Sequence, residues 1–130
     1  TLYFYRSAPK PPPPSGFLWM LRLGASADSS PVLADGILYI GSGNRLLAID
    51  VQSQETKWVF ETEGIIRSSP ALTDTAIFVG SEDGRLYALD AATGRKLWDI
   101  RTEGKITSSP AVDGTTVYIS SHDGNLYAID

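Results

Sequence analysis

The chain has 130 residues and a formal net charge of −4, and its hydrophobic and charged fractions are those of an ordinary globular domain. An acidic chain binds phosphate backbones poorly, because nucleic-acid affinity depends on clustered Lys and Arg, so nucleic acid is set aside as a partner. There is no cysteine, which excludes disulfides and thiolate metal sites within these residues. No stretch is apolar for long enough to cross a membrane.

A proline-rich segment, residues 1–16, opens the sequence and predicts a linker or tail. Its prolines remove backbone donors and favour an extended polyproline helix, which acts as a semi-rigid spacer. Arg6, Pro9 and Pro12 also match a basic-x-x-Pro-x-x-Pro pattern that an aromatic groove could dock, and this alternative stays open. The apolar residues 2–5 are consistent either with an unstructured tail or with the outer end of a membrane tether upstream of the sequence.

From residue 17 the chain consists of three copies of one unit, and the clearest copy includes Gly80 to Trp98. A Ser-Ser-Pro marker recurs at Pro31, Pro70 and Pro110, with separations of 39 and 40 residues. The first copy has therefore lost one residue, which we assign to the turn at residues 42–44. A period near 40 with strand-like contents predicts a β-propeller, in which each repeat is one blade.

Each unit predicts four short antiparallel strands. In the second copy they are a strand at Ser-Ser-Pro, strands at residues 76–79 and 86–89, and a strand that carries Trp98. Residues 77–79 are apolar on both sides, as expected when both faces of a sheet are covered. Asp-Gly pairs tolerate the positive φ of tight turns between strands, and they occur at Asp35-Gly36, Asp83-Gly84, Asp113-Gly114 and Asp123-Gly124.

The predicted fold class is therefore all-β, a β-propeller with three four-stranded blades' worth of repeats over residues 17–130, or 12 strands. A Trp strand at Phe17–Leu21 comes first, two sets of four follow, and three strands of a further set complete the count. Three blades are too few to close a ring. We therefore expect either part of a longer polypeptide or a homo-oligomer in which residues 17–21 complete the last blade of another copy.

One stretch carries a family resemblance. Residues 88–98, Ala-Leu-Asp-Ala-Ala-Thr-Gly-Arg-Lys-Leu-Trp, resemble the Ala-x-Asp-x-x-Thr-Gly-x-x-x-Trp repeat of the pyrroloquinoline-quinone (PQQ)-like propellers. The first copy departs from this motif at Ser53-Gln54, and the third stops before its second half. The resemblance implies that each tryptophan docks on the neighbouring blade, a role assigned to Trp19, Trp58 and Trp98.

The resemblance leaves two functions open, because the family contains quinoprotein alcohol dehydrogenases, an outer-membrane assembly lipoprotein and kinase sensor domains. The favoured function is a non-catalytic scaffold, sensor or ligand-binding module, extracytoplasmic in a bacterium, without a cofactor and with a protein or small-ligand partner. The alternative is a fragment of a PQQ-dependent dehydrogenase. That enzyme would imply Ca²⁺ ligands, a carboxylate base and a pair of adjacent cysteines, and the cysteines are absent.

Single residues add little evidence for catalysis. His122 is the only histidine, which argues against a two-His metal site or a Ser-His-Asp arrangement. The repeated Asp50, Asp90 and Asp130 could form a ring of metal ligands. Their presence in every copy favours instead a structural role, in which the carboxylate accepts backbone N–H groups of the following turn.

One end of the blades is the predicted binding face. In an up-and-down blade, the turn from the second to the third strand and the link to the next blade lie at the same end. Asp28, Arg67 and Thr107 share one position, three residues before each proline, yet they differ in charge. Structural positions tend to repeat and recognition positions tend to diverge. The candidate binding residues of this end are Asp28, Arg67, Lys105, Thr107 and His122.

Overall fold

The computed structural model describes Gly16 and residues 18–130. The features assigned to residues 1–15, which are the spacer, the Arg6 motif and the tether, lie outside the described residues. Within the described part, 11 strands and no helix are formed, and accordingly no helix is long and apolar enough to span a membrane.

The strands form three antiparallel sheets that follow one another in chain order, with strand orders β1-β2-β3-β4, β5-β6-β7-β8 and β9-β10-β11. We call these sheets blades 1, 2 and 3. The strands are β1 Val32–Ala34, β2 Ile37–Ser42, β3 Arg45–Asp50, β4 Thr56–Glu61, β5 Ala71–Leu72, β6 Ala76–Gly80, β7 Arg85–Asp90, β8 Lys96–Arg101, β9 Ala111–Asp113, β10 Thr116–Ser120 and β11 Leu126–Ile129. The predicted all-β class and the four-stranded repeat unit are confirmed.

The turns form where the sequence predicts them. Asp35 and Gly36 both have positive φ, 50° and 78°, which matches a two-residue type I′ hairpin. The turn between β2 and β3 consists of two residues only, because Ser42 pairs directly with Arg45. In blade 2 the segment Ser81–Gly84 separates β6 from β7. The residue missing from the first copy is therefore lost in this turn, as predicted.

The hydrophobic core lies between the blades rather than within one sheet. Ile77 and Val79 on one face of β6 pack into a cluster shared with blade 1, while Phe78 on the other face packs into a cluster shared with blade 3. A side chain at Gly80 would have no room, since its Cβ would lie 2.2 Å from Cγ2 of Ile106 in the link to the next blade. The continuous apolar strands are thus explained by burial on both faces.

The predicted Trp19 strand is not formed. Within the described part, Leu18–Leu21 pairs with no strand, so the structure has 11 strands rather than 12. The physical reason is that a strand requires a backbone partner. In a complete blade, the Trp strand pairs with the third strand. Among residues 18–130, β11 of blade 3 is the third strand that has a neighbour on one side only.

Candidate functional site

The candidate binding face forms because links and turns are hydrogen-bonded at one end of the blades. Glu82 N donates to Ile65 O at 2.9 Å, so the turn of blade 2 touches the link that enters it. His122 N makes the equivalent bond to Lys105 O at 2.8 Å in blade 3. This geometry places the predicted residues on one surface, which we call the end face: Asp28, Arg67, Lys105, Thr107 and His122.

Arg67 joins two blades on the end face. Its Nε donates to Glu82 Oε2 at 2.7 Å, and its Nη1 donates to Asp28 Oδ2 at 3.2 Å. The hydrogen bond from Arg67 is the largest cause that lowers the pKa of Glu82 below its ordinary value, with smaller contributions from the charges of Lys105 and His122. The same bond raises the pKa of Arg67. Both side chains are therefore charged at neutral pH.

Thr107 and His122 repeat this pairing one blade further along. The hydroxyl of Thr107 lies 3.0 Å from His122 Nε2, at the positions that correspond to Arg67 and Glu82. Lys105 contributes its charge to the same surface, since that charge lowers the pKa of Glu82. The end face is thus a series of polar pairs whose chemistry changes from blade to blade, while the backbone that holds them repeats.

Glu82 lies in a turn that the sequence assigns to this end, but it was not among the candidate binding residues. It occupies the position of His122 in the β6–β7 turn, immediately after a repeated serine. An alignment of the turns shows that the position of Glu82 diverges between copies as that of Arg67 does, but the contact between the two is seen only in the fold. The corresponding residue of blade 1 is Gly43, which offers no side chain, so Asp28 pairs with Arg67 of the next blade instead.

A polar groove of about 350 Å³ adjoins the end face. Its wall consists of Glu82, Asp83, Gly84 and residues 101–105, so it carries carboxylates together with Arg101 and Lys105. Mixed charge and an open shape suit a polar segment of a larger partner better than an enclosed apolar ligand.

The end face lies beside the first strands of the blades, which form the inner edges of the sheets. Strands β5 and β9 are in contact. Beside them, Ser30 N donates to Ser69 Oγ at 2.9 Å, and Ser69 N donates to Ser109 Oγ at 3.0 Å. The Ser-Ser-Pro marker therefore ties each blade to the next near the inner edge, and residues just before it border that inner edge.

Trp58 contacts the neighbouring blade at the opposite end. Its Nε1 donates to Ala91 O at 3.0 Å, and a Cβ built on Gly94 would lie 2.4 Å from its ring carbon Cδ2. Trp98 packs in the cluster between blades 2 and 3, with its ring centroid 5.9 Å from that of Phe78. Trp19 is half-buried. We propose that all three tryptophans serve as contacts between blades.

Two of the repeated aspartates, Asp50 and Asp90, bind backbone, whereas Asp130 accepts a hydrogen bond from the hydroxyl of Thr115 at 2.8 Å. Asp90 Oδ1 accepts from Ala92 N at 2.9 Å and Thr93 N at 3.1 Å, and Asp50 Oδ1 accepts the equivalent bonds. The bond from Ser53 N is the main cause that lowers the pKa of Asp50. These carboxylates close turns. Among residues 18–130, no three His, Asp or Glu side chains are placed so that they could hold a metal ion.

Comparison with known proteins defines the class. A family model described as outer membrane protein assembly factor BamB matches residues 61–130, which is more than half of the chain. The chain therefore belongs to this family of PQQ-like β-propellers. No curated protein sequence matches it.

Solved structures that resemble this chain include a BamB and two dehydrogenases. BamB from Moraxella catarrhalis has a TM-score of 0.76 at 22% identity, covering 87% of this chain and 37% of its own. A europium-containing methanol dehydrogenase has a TM-score of 0.75 at 22% identity, covering 87% and 24%. The quinohemoprotein alcohol dehydrogenase of Comamonas testosteroni has a TM-score of 0.66 at 32% identity, covering 73% and 17%. The chain thus spans well under half the length of each protein.

Proposed function

We propose that the chain is a non-catalytic propeller module whose end face binds a protein partner. The observation that carries the proposal is the pairing of divergent side chains, Arg67 with Glu82 and Thr107 with His122, on a backbone that repeats. If these pairs served only folding, the same two residue types would recur in each blade, as the turn-closing Asp50 and Asp90 do. A pair that changes from blade to blade gives the surface a specific pattern of charge.

The end face is well suited to a protein because it is rigid and mixed in charge. The turns that carry Glu82 and His122 are each fixed by a backbone hydrogen bond to the link of the preceding blade. Pre-organisation of this kind lowers the entropy cost of binding. Positive and negative groups alternate across the surface, and complementary charges on a partner would set the orientation of the complex.

The family description, an outer membrane protein assembly factor, supports a location outside the cytoplasm. We propose that residues 17–130 form the propeller repeats in the periplasm or at the cell surface. Residues 1–16 would then serve as the spacer, since their prolines favour an extended chain. A membrane tether upstream of this spacer would hold the module near its partner.

A second candidate is a segment of a PQQ-dependent dehydrogenase, and the 32% identity to the quinohemoprotein alcohol dehydrogenase favours it. The donor groups of this chain fit that cofactor poorly. Arg67 is already bound by two carboxylates, and no metal-binding set is formed within residues 18–130. The chain also has no cysteine for the adjacent pair that the resemblance implies. We therefore favour the binding module.

Site-specific photo-crosslinking in the cell envelope of an expressing bacterium tests the proposal. A photoreactive residue replaces Thr107 on the end face, and the matched control replaces Thr115, which is exposed at the opposite end of the same blade. We expect one discrete protein adduct from position 107 and none from position 115. The charge reversal Arg67→Glu, added to the first variant, should reduce that adduct at least about tenfold, as loss of a charge-assisted contact predicts.

Two results would contradict the end-face proposal. Equal adducts from positions 107 and 115 would place the partner elsewhere. An adduct at 107 that is insensitive to Arg67→Glu would mean that the charge pattern does not recognise the partner. Saturable binding of PQQ in the presence of Ca²⁺, with oxidation of an alcohol, would favour the dehydrogenase segment instead.

A further inference from the structure

A second groove lies between blades 1 and 2, at the end opposite the end face, and we call it the side groove. It has a volume of about 270 Å³ and is lined by residues of β2, β4 and the turns that follow β1, β5 and β7. Tyr39 and Trp58 are its buried and half-buried aromatic residues, whereas Asp35, Lys57 and Asp74 are exposed around them. The side groove therefore combines aromatic and charged groups.

The side chain of Tyr39 is buried, but its hydroxyl has no partner. Tyr39 is 5% exposed, and among the described residues its hydroxyl makes no hydrogen bond. By contrast, the hydroxyls of Tyr87 and Tyr127 donate to Asp83 and Asp123. Every fully buried side-chain polar atom of the described part has a partner, so solvent reaches the Tyr39 hydroxyl, in the groove that this residue lines. Its hydrogen-bonding capacity is free for a ligand.

The charges around this hydroxyl favour a cation. Asp35 and Asp74 contribute two carboxylates against the single ammonium group of Lys57. Burial raises the pKa of Tyr39, and the negative charge of Asp35 raises it further, so that charge acts on the hydroxyl itself. The charge of Lys57 acts on Asp50, whose pKa it lowers. None of the three charged side chains of the side groove forms an ion pair within residues 18–130.

The aromatic rings favour a cation that is carried on an apolar chain. The ring centroids of Tyr39 and Trp58 lie 5.9 Å apart, and the two ring planes are tilted by 44°. An ammonium group is attracted to the faces of such rings, most strongly to tryptophan. A short alkyl chain can cover the same surface while its charged end reaches the carboxylates. The volume suits a group of a few carbon atoms better than a drug-sized ligand.

The polar groups of the side groove are not part of the contact that repeats between blades. At the next junction the tryptophan is kept as Trp98. The polar residues are replaced there, by Phe78 for Tyr39, Leu97 for Lys57 and Gly114 for Asp74. Blades 2 and 3 pack without these groups, so packing alone does not explain the hydroxyl and the charges between blades 1 and 2.

We propose that the side groove binds a primary ammonium group on a short alkyl chain, as in a lysine side chain or a free alkylamine. The ammonium group has three donors and no acceptor, so the Tyr39 hydroxyl acts as an acceptor. The carboxylates of Asp35 and Asp74 accept the remaining hydrogen bonds, and the alkyl chain lies against the ring of Trp58. This site is separate from the end face and does not depend on the function proposed there.

Titration with n-butylammonium chloride and with acetyl-lysine methylamide, followed by NMR, tests the proposal. The reporter is the indole N–H of Trp58, which donates to Ala91 O in the wall of the side groove. We expect both amines to shift this signal in a saturable way. Acetyl-norleucine methylamide, which has a similar chain without the charge, should not shift it. Tighter binding of the lysine derivative would indicate a protein side chain as the source of the ammonium group, and tighter binding of n-butylammonium would indicate a free amine.

Three variants separate the side groove from the rest of the surface. Tyr39→Phe removes only the hydroxyl and should fold, because blade 2 carries Phe78 at this position. It should weaken binding of both amines at least about tenfold, as loss of a hydrogen bond to a charged group predicts. Asp74→Asn should weaken binding about threefold, as loss of an exposed charge pair predicts. Asp113→Asn, beside the corresponding turn of blade 3, is the control and should leave the affinity unchanged.

Three results would overturn the proposal. A side groove that holds water only would give no saturable shift at Trp58 from either amine. Equal affinities of the lysine and norleucine derivatives would show that the charge is not recognised. Equal affinities of the original chain and Tyr39→Phe would show that the hydroxyl is not used. Asp74→Asn provides the comparison with the control if Tyr39→Phe does not fold, and equal affinities of Asp74→Asn and Asp113→Asn would then overturn the proposal.

Discussion

At the scale of residues, one contact explains the Thr-Gly motif. The ring of Trp58 lies against Gly94 of the next blade, where no side chain would fit, and φ of Gly94 is 76°. Gln54 occupies the corresponding position of blade 1 with φ of 64°. Glycine at position 94 therefore meets two separate needs, a left-handed backbone and a close aromatic contact, and the left-handed backbone is also present at Gln54.

Loss of the Trp58 ring should destabilise the protein. Trp58→Ala should lower the free energy of unfolding by about 2–4 kcal/mol, somewhat less than for a fully buried aromatic because this ring is half-buried. Val59→Ala, at an exposed neighbouring position of β4, is the control and should change stability by less than about 0.5 kcal/mol. Urea denaturation measures both. A loss below about 1 kcal/mol for Trp58→Ala would mean that the ring does not hold the blades together.

Relief of backbone strain at Gln54 should stabilise the protein. A left-handed conformation costs a non-glycine residue about 1–2 kcal/mol, and glycine offsets part of that gain through its greater entropy when unfolded. Gln54→Gly should therefore raise the free energy of unfolding by about 0.5–1 kcal/mol.

The opposite exchange is the control. Gly94→Ala should destabilise, since its Cβ would lie 2.4 Å from the ring of Trp58. Thermal melts of the two variants should shift in opposite directions. Shifts of the same sign would contradict this account of the turn.

At this scale the sequence predicted the roles that repeat. An aspartate recurs in all three copies, and the turn-closing role predicted from that recurrence is seen at Asp50 and Asp90. Glu82 could not be read in this way. Its importance depends on a contact with Arg67, 15 residues earlier in the chain, and only the fold brings the two together.

At the scale of elements, each blade holds the next at both ends. At the end face, the hydroxyl of Thr62 lies 3.0 Å from Ser81 Oγ, and Thr102 lies 2.9 Å from Ser121 Oγ. The backbone adds a second contact, in which Glu103 N donates to Asp123 Oδ2 at 3.1 Å. The tryptophan contact lies at the opposite end. Sliding of one blade against another is therefore opposed at two separated points.

Removal of the buried hydroxyl of Thr102 should weaken the contact between blades 2 and 3. Thr102 Oγ1 also lies 2.8 Å from Gly104 O and 3.0 Å from Gly84 O, so Thr102→Val removes several hydrogen bonds at a buried position. The cost should be about 1–3 kcal/mol in the free energy of unfolding. Thr56→Val, on the exposed side of β4, is the control and should be nearly neutral. Equal losses from both substitutions would show that the junction hydroxyl adds nothing specific.

The ion pairs of the end face should open in acid. The pKa of Glu82 is lowered in the folded protein, so its contribution to stability is present above the unfolded pKa, about 4.3, and is lost as pH falls through the lower folded value. Titration of Glu82 by NMR should give a pKa below the ordinary value. Arg67→Ala should raise it toward that value, because the bond from Arg67 is the main cause of the shift. An unchanged pKa in the variant would rule out this pairing in solution.

Strands with local partners were predictable and the strand with a distant partner was not. Hairpin turns bring β2 to β3 and β6 to β7 within a few residues, so the pattern of the sequence is sufficient. The segment 18–21 has the right pattern as well. The partner that the repeat predicts for it, the third strand of a final blade, is not a sequence neighbour, and pattern alone does not determine whether such a pairing forms.

At the scale of the whole molecule, three blades form a series with two different sides. On the outer side of blade 1, Leu47 and Ile49 are buried, whereas on the outer side of blade 3 Tyr118 and Leu126 are exposed. The period of the repeat was enough to predict the propeller class. The partner that we propose for the end face was not predictable, because divergent positions do not show what a surface binds.

The mass of the 130-residue chain in solution tests most directly whether the contact between blades also joins separate copies. Light scattering coupled to size exclusion should give a multiple of the 14.0 kDa chain mass at micromolar concentration, with a dimer as the simplest closed ring. Deletion of residues 17–21 should return the protein to monomers that remain folded by circular dichroism. A stable, folded and monodisperse 14.0 kDa monomer of the intact chain would contradict the account.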